Sequence, residues 1–127
     1  MNGSTSLLRL MSWLSPVFPT GGYAYSAALE QAVADGTVSG TDELKAWIEA
    51  LLTRGPQWND AVFFAAAWNA AEGSGDVAEI AELARASASS FERHRETVDQ
   101  GAGFLDAAAN WFEDGALPPR GTPLCVA

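Results

Sequence analysis

Few side chains in this sequence could bind a soft metal ion. Such a site needs several Cys or His ligands, and the chain has one histidine, His94, and one cysteine, Cys125. These two residues lie on separate predicted elements. We therefore expect no directly bound cofactor, and a metal would need carboxylates or another subunit.

Carboxylates and the histidine could converge in a cleft for acid–base chemistry. Glu30 follows Ser26 by one helical turn, and Asp60 lies early in another predicted helix. A pocket that joins Glu30, Asp60 and His94 would make the chain a small helical enzyme or ligand-binding domain. Exposed helix faces and caps explain the carboxylates equally well, and a lone histidine beside an apolar face is more often structural.

Motifs for nucleophilic or nucleotide chemistry are missing from the sequence. No Gly-x-Ser-x-Gly elbow occurs, and His94 is the only possible histidine base. The Gly73-Ser74-Gly75 stretch lacks the preceding strand and the lysine of a phosphate-binding loop. We therefore expect a binding protein and not an enzyme.

Charge and cysteine usage restrict the partners and the compartment. The net charge of −9 repels phosphate backbones and anionic lipid headgroups, so nucleic acid and membrane are not expected partners. The longest apolar run, residues 61–68, is far shorter than the roughly 20 residues that span a bilayer. A single cysteine cannot form an internal disulfide, which favours a reduced, cytoplasmic location.

The elements that must position these residues are predicted to be helices. The composition favours an all-α fold, a compact bundle of about six helices in one domain over residues 1–127. Helices are predicted over residues 6–15, 25–35, 57–72 and 91–112, with a third helix capped by Ser39 or Thr41 and a fifth that opens at Asp76. The first and fourth, which are widely apolar, are expected to be buried.

Glycine and proline mark the special positions of the chain. Gly36 is placed where a helix ends in the left-handed conformation. Gly101 and Gly103 weaken the sixth helix, so a close helix contact is their expected reason. Residues 116–127 are predicted to be a linker and the start of a further element, so the chain is expected to be truncated.

Residues 15–30, here called the signature segment, combine prolines, glycines and aromatics in an order that helix patterning does not produce. The distinctive residues are Ser15, Pro16, Phe18, Pro19, Gly21, Gly22, Tyr23, Tyr25, Ser26, Leu29 and Glu30. The segment strongly resembles the N-terminal region of the UreF family of urease accessory proteins. Residues 38–52 and a charged helix that leads to Gln100 and Gly101 also resemble this family.

The resemblance implies a cytoplasmic, all-helical scaffold for urease maturation. Family members dimerise and bind UreD, also called UreH, and then the GTPase UreG, and together they load nickel into apo-urease. Nickel would be handled by this complex, and GTP hydrolysis could be regulated within it, with Arg93 and Arg95 as candidate arginine fingers. The family continues with several more helices, so the resemblance implies that this chain corresponds to about the first half to two-thirds of a member.

The resemblance also suggests which residues form a partner interface. The candidates are Pro16, Phe18, Pro19, Gly21, Gly22, Tyr23, Tyr25, Ser26, Glu30, Gln100 and Gly101. The signature segment would form a rigid corner, although simple packing of the first helix on the second explains the motif equally well. In a further interpretation, the fragment has no independent function and exposes apolar faces of helices four and six.

Overall fold

The chain forms six α-helices in the part that the structure describes. The computed structural model describes residues 3–113 and 116–127 of the predicted domain. The helices are α1 (Gly3–Trp13), α2 (Leu29–Ala34), α3 (Thr41–Arg54), α4 (Pro56–Glu72), α5 (Val77–Ala86) and α6 (Phe91–Ala108), with 3₁₀ turns at Gly22–Ala24 and Ala109–Trp111. No strand occurs among these residues, which confirms the predicted all-α bundle.

Helix α1 is exposed, so the expectation that it is buried is wrong. None of its residues is buried, and the side chains of Leu8 and Met11 are 65% and 63% exposed. Its apolar residues point to nearly all sides of the helix, and only one side can face the rest of the fold. Trp13, at the end of α1, is the residue that joins an aromatic cluster.

Helix α2 is shorter than predicted because the backbone before it is left-handed. Ala27 and Ala28 have φ angles of 49° and 63°, which interrupt a right-handed helix. The predicted helix over 25–35 therefore begins only at Leu29. Its end agrees with the prediction, since Gly36 has a φ angle of 81°.

Helices α3 and α4 pack against each other across a tight connection at Gly55. A Cβ atom at this position would lie 2.7 Å from the Leu51 carbonyl oxygen. The cap of α3 is Gly40, and no side chain bonds to the free amides there. The predicted caps, Ser39 and Thr41, are therefore wrong by one residue.

Helix α4 is also less buried than expected. Ala67 is its buried residue, whereas Trp58 and Trp68 are 53% and 58% exposed. Helix α4 packs on both α3 and α5, and Phe63 is its large apolar residue that packs against the core. The fragment interpretation expects such exposure on helix four, and Phe91 on α6 is likewise exposed.

Helices α5 and α6 begin at side-chain caps. The Asp76 carboxylate accepts a hydrogen bond of 2.8 Å from the Ala78 amide, and the Ser90 hydroxyl accepts one of 3.1 Å from the Arg93 amide. These bonds satisfy amides that have no partner within the helix. Asp76 therefore opens α5, as predicted.

Residues 121–126, here called the strap, contain no helix or strand and contribute to the core. Thr122 and Pro123 have the largest fully buried side chains of the described chain. Val126 packs with Ala67 of α4 and with two alanines of α5, at positions 81 and 84. Residues 116–127, predicted to be a linker and the start of a further element, contain no helix, and the strap within them is packed against the helices.

Candidate functional site

The signature segment folds back on itself through local hydrogen bonds. The Tyr23 hydroxyl donates to the Pro16 carbonyl oxygen over 3.0 Å. The Phe18 amide donates to the Ser15 carbonyl oxygen over 3.0 Å, and Gly21 turns the chain with a φ angle of 77°. Prolines at positions 16 and 19 restrict the backbone further. The result is a shaped loop, as the sequence predicts.

An aromatic cluster anchors this loop to α6 and to the turn that follows it. The Phe18 ring lies 5.5 Å from Phe104 and 5.9 Å from Trp111, measured between ring centroids. Trp13 lies 5.9 Å from Phe104 in an edge-to-face arrangement and 5.6 Å from Phe112 in a stacked one. Such pairs stabilise beyond the area that they bury, so the cluster holds α1, the loop and α6 together.

Small residues let the loop approach the α6 backbone closely. A Cβ atom on Gly103 would lie 3.0 Å from the Thr20 carbonyl oxygen, and one on Gly22 would lie 3.5 Å from the Gln100 Oε1 atom. The predicted close contact at Gly103 exists, but its partner is the signature segment and not another helix. Gln100 and the signature segment, which are far apart in sequence, are thus neighbours.

Gly101 contacts the strap on another face of the same helix. A Cβ atom there would overlap the Thr122 carbonyl oxygen and lie 2.9 Å from the Leu124 amide nitrogen. The Leu124 amide donates to the Thr97 carbonyl oxygen over 2.9 Å. Gly101 is therefore needed for packing of the strap, which again is not a helix.

A charged group joins α4 to α6 beside the strap. The Arg93 guanidinium forms ion pairs with Asp60 and, over 2.9 Å, with Glu96, and its side chain is only 14% exposed. Burial by itself lowers the pKa of Arg93, but the hydrogen bonds to Glu96 and Asp60 outweigh this effect and raise it. Gln100 extends the group through a bond of 3.4 Å to Glu96.

A cleft of about 290 Å³ lies over this group. Arg54, Trp58, Asp60 and Arg93 contribute to its wall, and the strap contributes Cys125. Burial, followed by the negative charge of Asp60, raises the pKa of the Cys125 thiol to about 11. The thiol is therefore protonated at neutral pH and is a poor nucleophile.

The residues of the alternative acid–base site do not come together. Asp60 lines the cleft, but its carboxylate is paired with Arg93, while Glu30 and His94 are exposed and do not line this cleft. No group of three or more His, Cys, Asp or Glu residues that could hold a metal ion occurs in residues 3–113 and 116–127.

The predicted interface residues divide into an exposed and a packed set. The exposed set comprises Pro16, Pro19, Gly21, Tyr23, Ser26 and Glu30, and the half-buried or buried set comprises Phe18, Gly22, Tyr25, Gln100 and Gly101. The packed residues attach the loop or the strap to the fold. The exposed residues form a surface that another protein could contact.

Comparison with known proteins identifies the family. The family model described as UreF matches residues 38–126 of this chain. The chain belongs to the UreF family. The resemblance inferred from the signature segment and from Gln100-Gly101 is thus confirmed at the level of the family.

Curated relatives in the UreF family extend over most of this chain. The urease accessory protein UreF of Mesorhizobium japonicum is 56% identical over 108 residues, which cover 85% of this chain and 48% of the relative. UreF 1 of Brucella anthropi is 55% identical, with 85% and 47% covered, and UreF of Agrobacterium fabrum is 51% identical, with 87% and 49% covered. The chain spans about half the length of the relatives it matches. No solved structure matches.

Two observations bear on the remaining expectations for a UreF-family chain. Among the helices that the structure describes, none is long and apolar enough to cross a membrane. Arg93, one candidate arginine finger, is held by two carboxylates, whereas Arg95 is exposed and lies 3.6 Å from Asp99. The ion pair between Arg93 and Asp60 was not predicted, because these residues are far apart in the sequence.

Proposed function

We propose that this chain acts in the cytoplasm as a protein-binding scaffold for urease maturation and has no catalytic activity of its own. It binds UreD and, with it, the GTPase UreG, during nickel insertion into apo-urease. The observation that carries the proposal is its membership in the UreF family, whose curated relatives are named urease accessory proteins. Nickel is handled by the assembled complex, and the full-length protein works as a homodimer.

The signature segment is the proposed surface for UreD. Val17 and Tyr23 are 81% and 86% exposed, although Phe18 and the Tyr23 hydroxyl anchor the loop from below. A loop that is already ordered loses little conformational entropy on binding, and exposed aromatic side chains are frequent centres of binding energy. Leu14, which is 75% exposed, continues this apolar surface toward α1.

The charges of the chain also support protein partners. The net charge of −9 disfavours nucleic acid and favours basic protein surfaces. If the scaffold regulates GTP hydrolysis, it does so by holding UreG in one conformation. A binding partner shifts a conformational equilibrium only to the extent that it binds one conformation more tightly than the other. Arg93 is engaged in ion pairs, so of the two candidate arginine fingers on α6 only Arg95 is proposed to act as one.

Capture of UreD by the tagged chain tests the proposal. The affinity for purified UreD is measured for the chain and for the variants Val17→Asp and Leu52→Asp. Both variants add a carboxylate at an exposed apolar residue, but Leu52, which is 54% exposed, lies on α3 outside the signature segment. We expect Val17→Asp to weaken binding at least about tenfold and Leu52→Asp to leave it unchanged.

Other results would decide between the interpretations. Equal losses in the two variants would place the UreD surface elsewhere. If neither this chain nor a full-length UreF-family relative captured UreD, the scaffold assignment would fail. Turnover of UreG-bound GTP is measured in the same mixtures, and a rate that does not depend on the chain would remove the regulatory part of the proposal.

A further inference from the structure

Helix α6 has little backbone packing on other helices in the part of the chain that the structure describes, although Arg93 pairs with Asp60 of α4 and Phe104 contacts Trp13 of α1. Helix α4 packs closely on both α3 and α5, but α6 has no comparable backbone packing against any other α-helix in residues 3–113 and 116–127. It nevertheless buries a stripe of residues, namely Thr97, Gly101, Leu105 and Ala108. Something other than a helix must therefore cover part of this stripe.

The strap lies between α6 and the α4–α5 pair. On the α6 side, it bonds to the Thr97 carbonyl oxygen through the Leu124 amide and fits against Gly101. On the other side, Val126 packs on alanines of α4 and α5. The Arg85 guanidinium of α5 donates a bond of 2.9 Å to the Gly121 carbonyl oxygen, which fixes the beginning of the strap.

The signature segment depends on α6 in turn. Its contacts are with Phe104, Gly103 and Gln100 of α6, and Gly103 lies on the side of the helix away from Gly101. Positions 101 and 103 are separated by about 200° around a helix. Helix α6 contains two glycines at these positions, so without a packed face it would be marginally stable.

We propose that the strap is a docking device that attaches α6 and the signature segment, as one separable unit, to the packed helices α3, α4 and α5. When the strap is released, α6 and the signature segment loosen together, while α3, α4 and α5 remain protected by their direct packing. Proteins generally open in such local units at a lower free energy than global unfolding requires. If the proposed function holds, docking of the strap also decides whether the UreD surface is formed.

Hydrogen exchange followed by mass spectrometry on the full chain tests this coupling. Gly101→Ala places a methyl group against strap backbone that cannot move aside cheaply. We expect exchange at least about tenfold faster in the strap, in α6 and in residues 15–26, with little change in α3 and α4. Faster exchange in the strap alone would overturn the proposal, because the signature segment would then be independent of it.

A milder pair of variants decides the matter if Gly101→Ala loosens the whole chain. Arg85→Gln removes the bond to Gly121, whereas the control Glu82→Gln removes the charge of the other side-chain partner of Arg85 and leaves the bond to Gly121 in place. We expect about threefold faster exchange in the strap, α6 and the signature segment for Arg85→Gln, and no such change for Glu82→Gln. An equal rise in α3 and α4 would show a single cooperative unit and overturn the proposal.

The exchange result does not depend on UreD. If the wild-type chain captures UreD, Gly101→Ala should weaken capture although no residue of the signature segment is changed. If the wild-type chain captures no UreD, the proposed function fails, but hydrogen exchange still tests the coupling through the strap.

Discussion

Replacement of Arg93 by alanine should destabilise the fold far more than the same replacement at Arg95. Arg93 is 14% exposed and faces Asp60 and Glu96, whose side chains are 35% and 22% exposed. Removal of one partner from a fully buried ion pair costs about 3–5 kcal/mol. Because the two carboxylates are partly hydrated, we expect roughly half of that, about 2 kcal/mol.

Arg95 is a matched control on the same helix. It also pairs with a carboxylate, Asp99, but over 3.6 Å and with side chains that are 62% and 53% exposed. Exposed pairs of this kind contribute about 0.5 kcal/mol or less. Both variants place alanine in a helix, so differences in helix propensity largely cancel between them.

Urea unfolding monitored by far-ultraviolet circular dichroism measures the two changes. With a urea dependence of about 1.5 kcal/mol per molar, Arg93→Ala should lower the unfolding midpoint by roughly 1.3 M. Arg95→Ala should lower it by about 0.3 M or less. If both variants unfolded at the same concentration, the Arg93 group would be screened like a surface pair, and our reasoning about its burial would be refuted.

Three further predictions concern the cluster, the turn and the thiol. Trp13→Ala should lower the free energy of unfolding by about 2–3 kcal/mol, because the ring contacts Phe104. Trp13→Phe should lower it less, since phenylalanine retains a ring. A similar loss in both variants would contradict the importance of the ring contact. Gly36→Ala should cost about 1 kcal/mol, because alanine resists the φ angle of 81° although space is free there; an unchanged urea midpoint would argue against that strain. For Cys125, a pKa of about 11 lowers the thiolate fraction at pH 8 about a hundredfold relative to an ordinary thiol. A thiolate of higher pKa is also about tenfold more nucleophilic, which offsets part of this loss. Labelling by a thiol reagent should therefore be about tenfold slower in the native chain than in urea. The native rate should continue to rise with pH up to about 11, whereas the rate in urea should level off near the ordinary value of 9.0; equal rates at pH 8 would show that burial does not protect the thiol.

Local sequence patterns predicted most of the helices, but they did not predict how far α1 and α4 are exposed. Asp76 caps α5, Pro56 opens α4 and Gly36 closes the turn after α2, because each acts through its own backbone or through atoms a few residues away. The short α2 was not predictable in this way. Its start depends on left-handed alanines at positions 27 and 28, and alanine normally favours helix.

The candidate site was only partly visible in the sequence. The order of prolines, glycines and aromatics in the signature segment predicted a shaped loop and indicated the family. The pattern could not reveal that the loop rests on Gln100 and Gly103, since these contacts join distant parts of the chain. It also could not distinguish the exposed Tyr23 from the packed Phe18.

By itself, the sequence determined the all-α class, most helix ends, the acidic surface and the family, because these depend on composition and on short-range order. Only the tertiary structure decided that α1 is exposed, that Arg93 pairs with Asp60, and that Thr122, Pro123 and Val126 of the strap are buried. The last difference has a simple physical cause. Gly121 has a left-handed φ angle of 95° and Pro123 has no amide hydrogen, so this segment does not continue as a helix, and its backbone fits closely against Gly101.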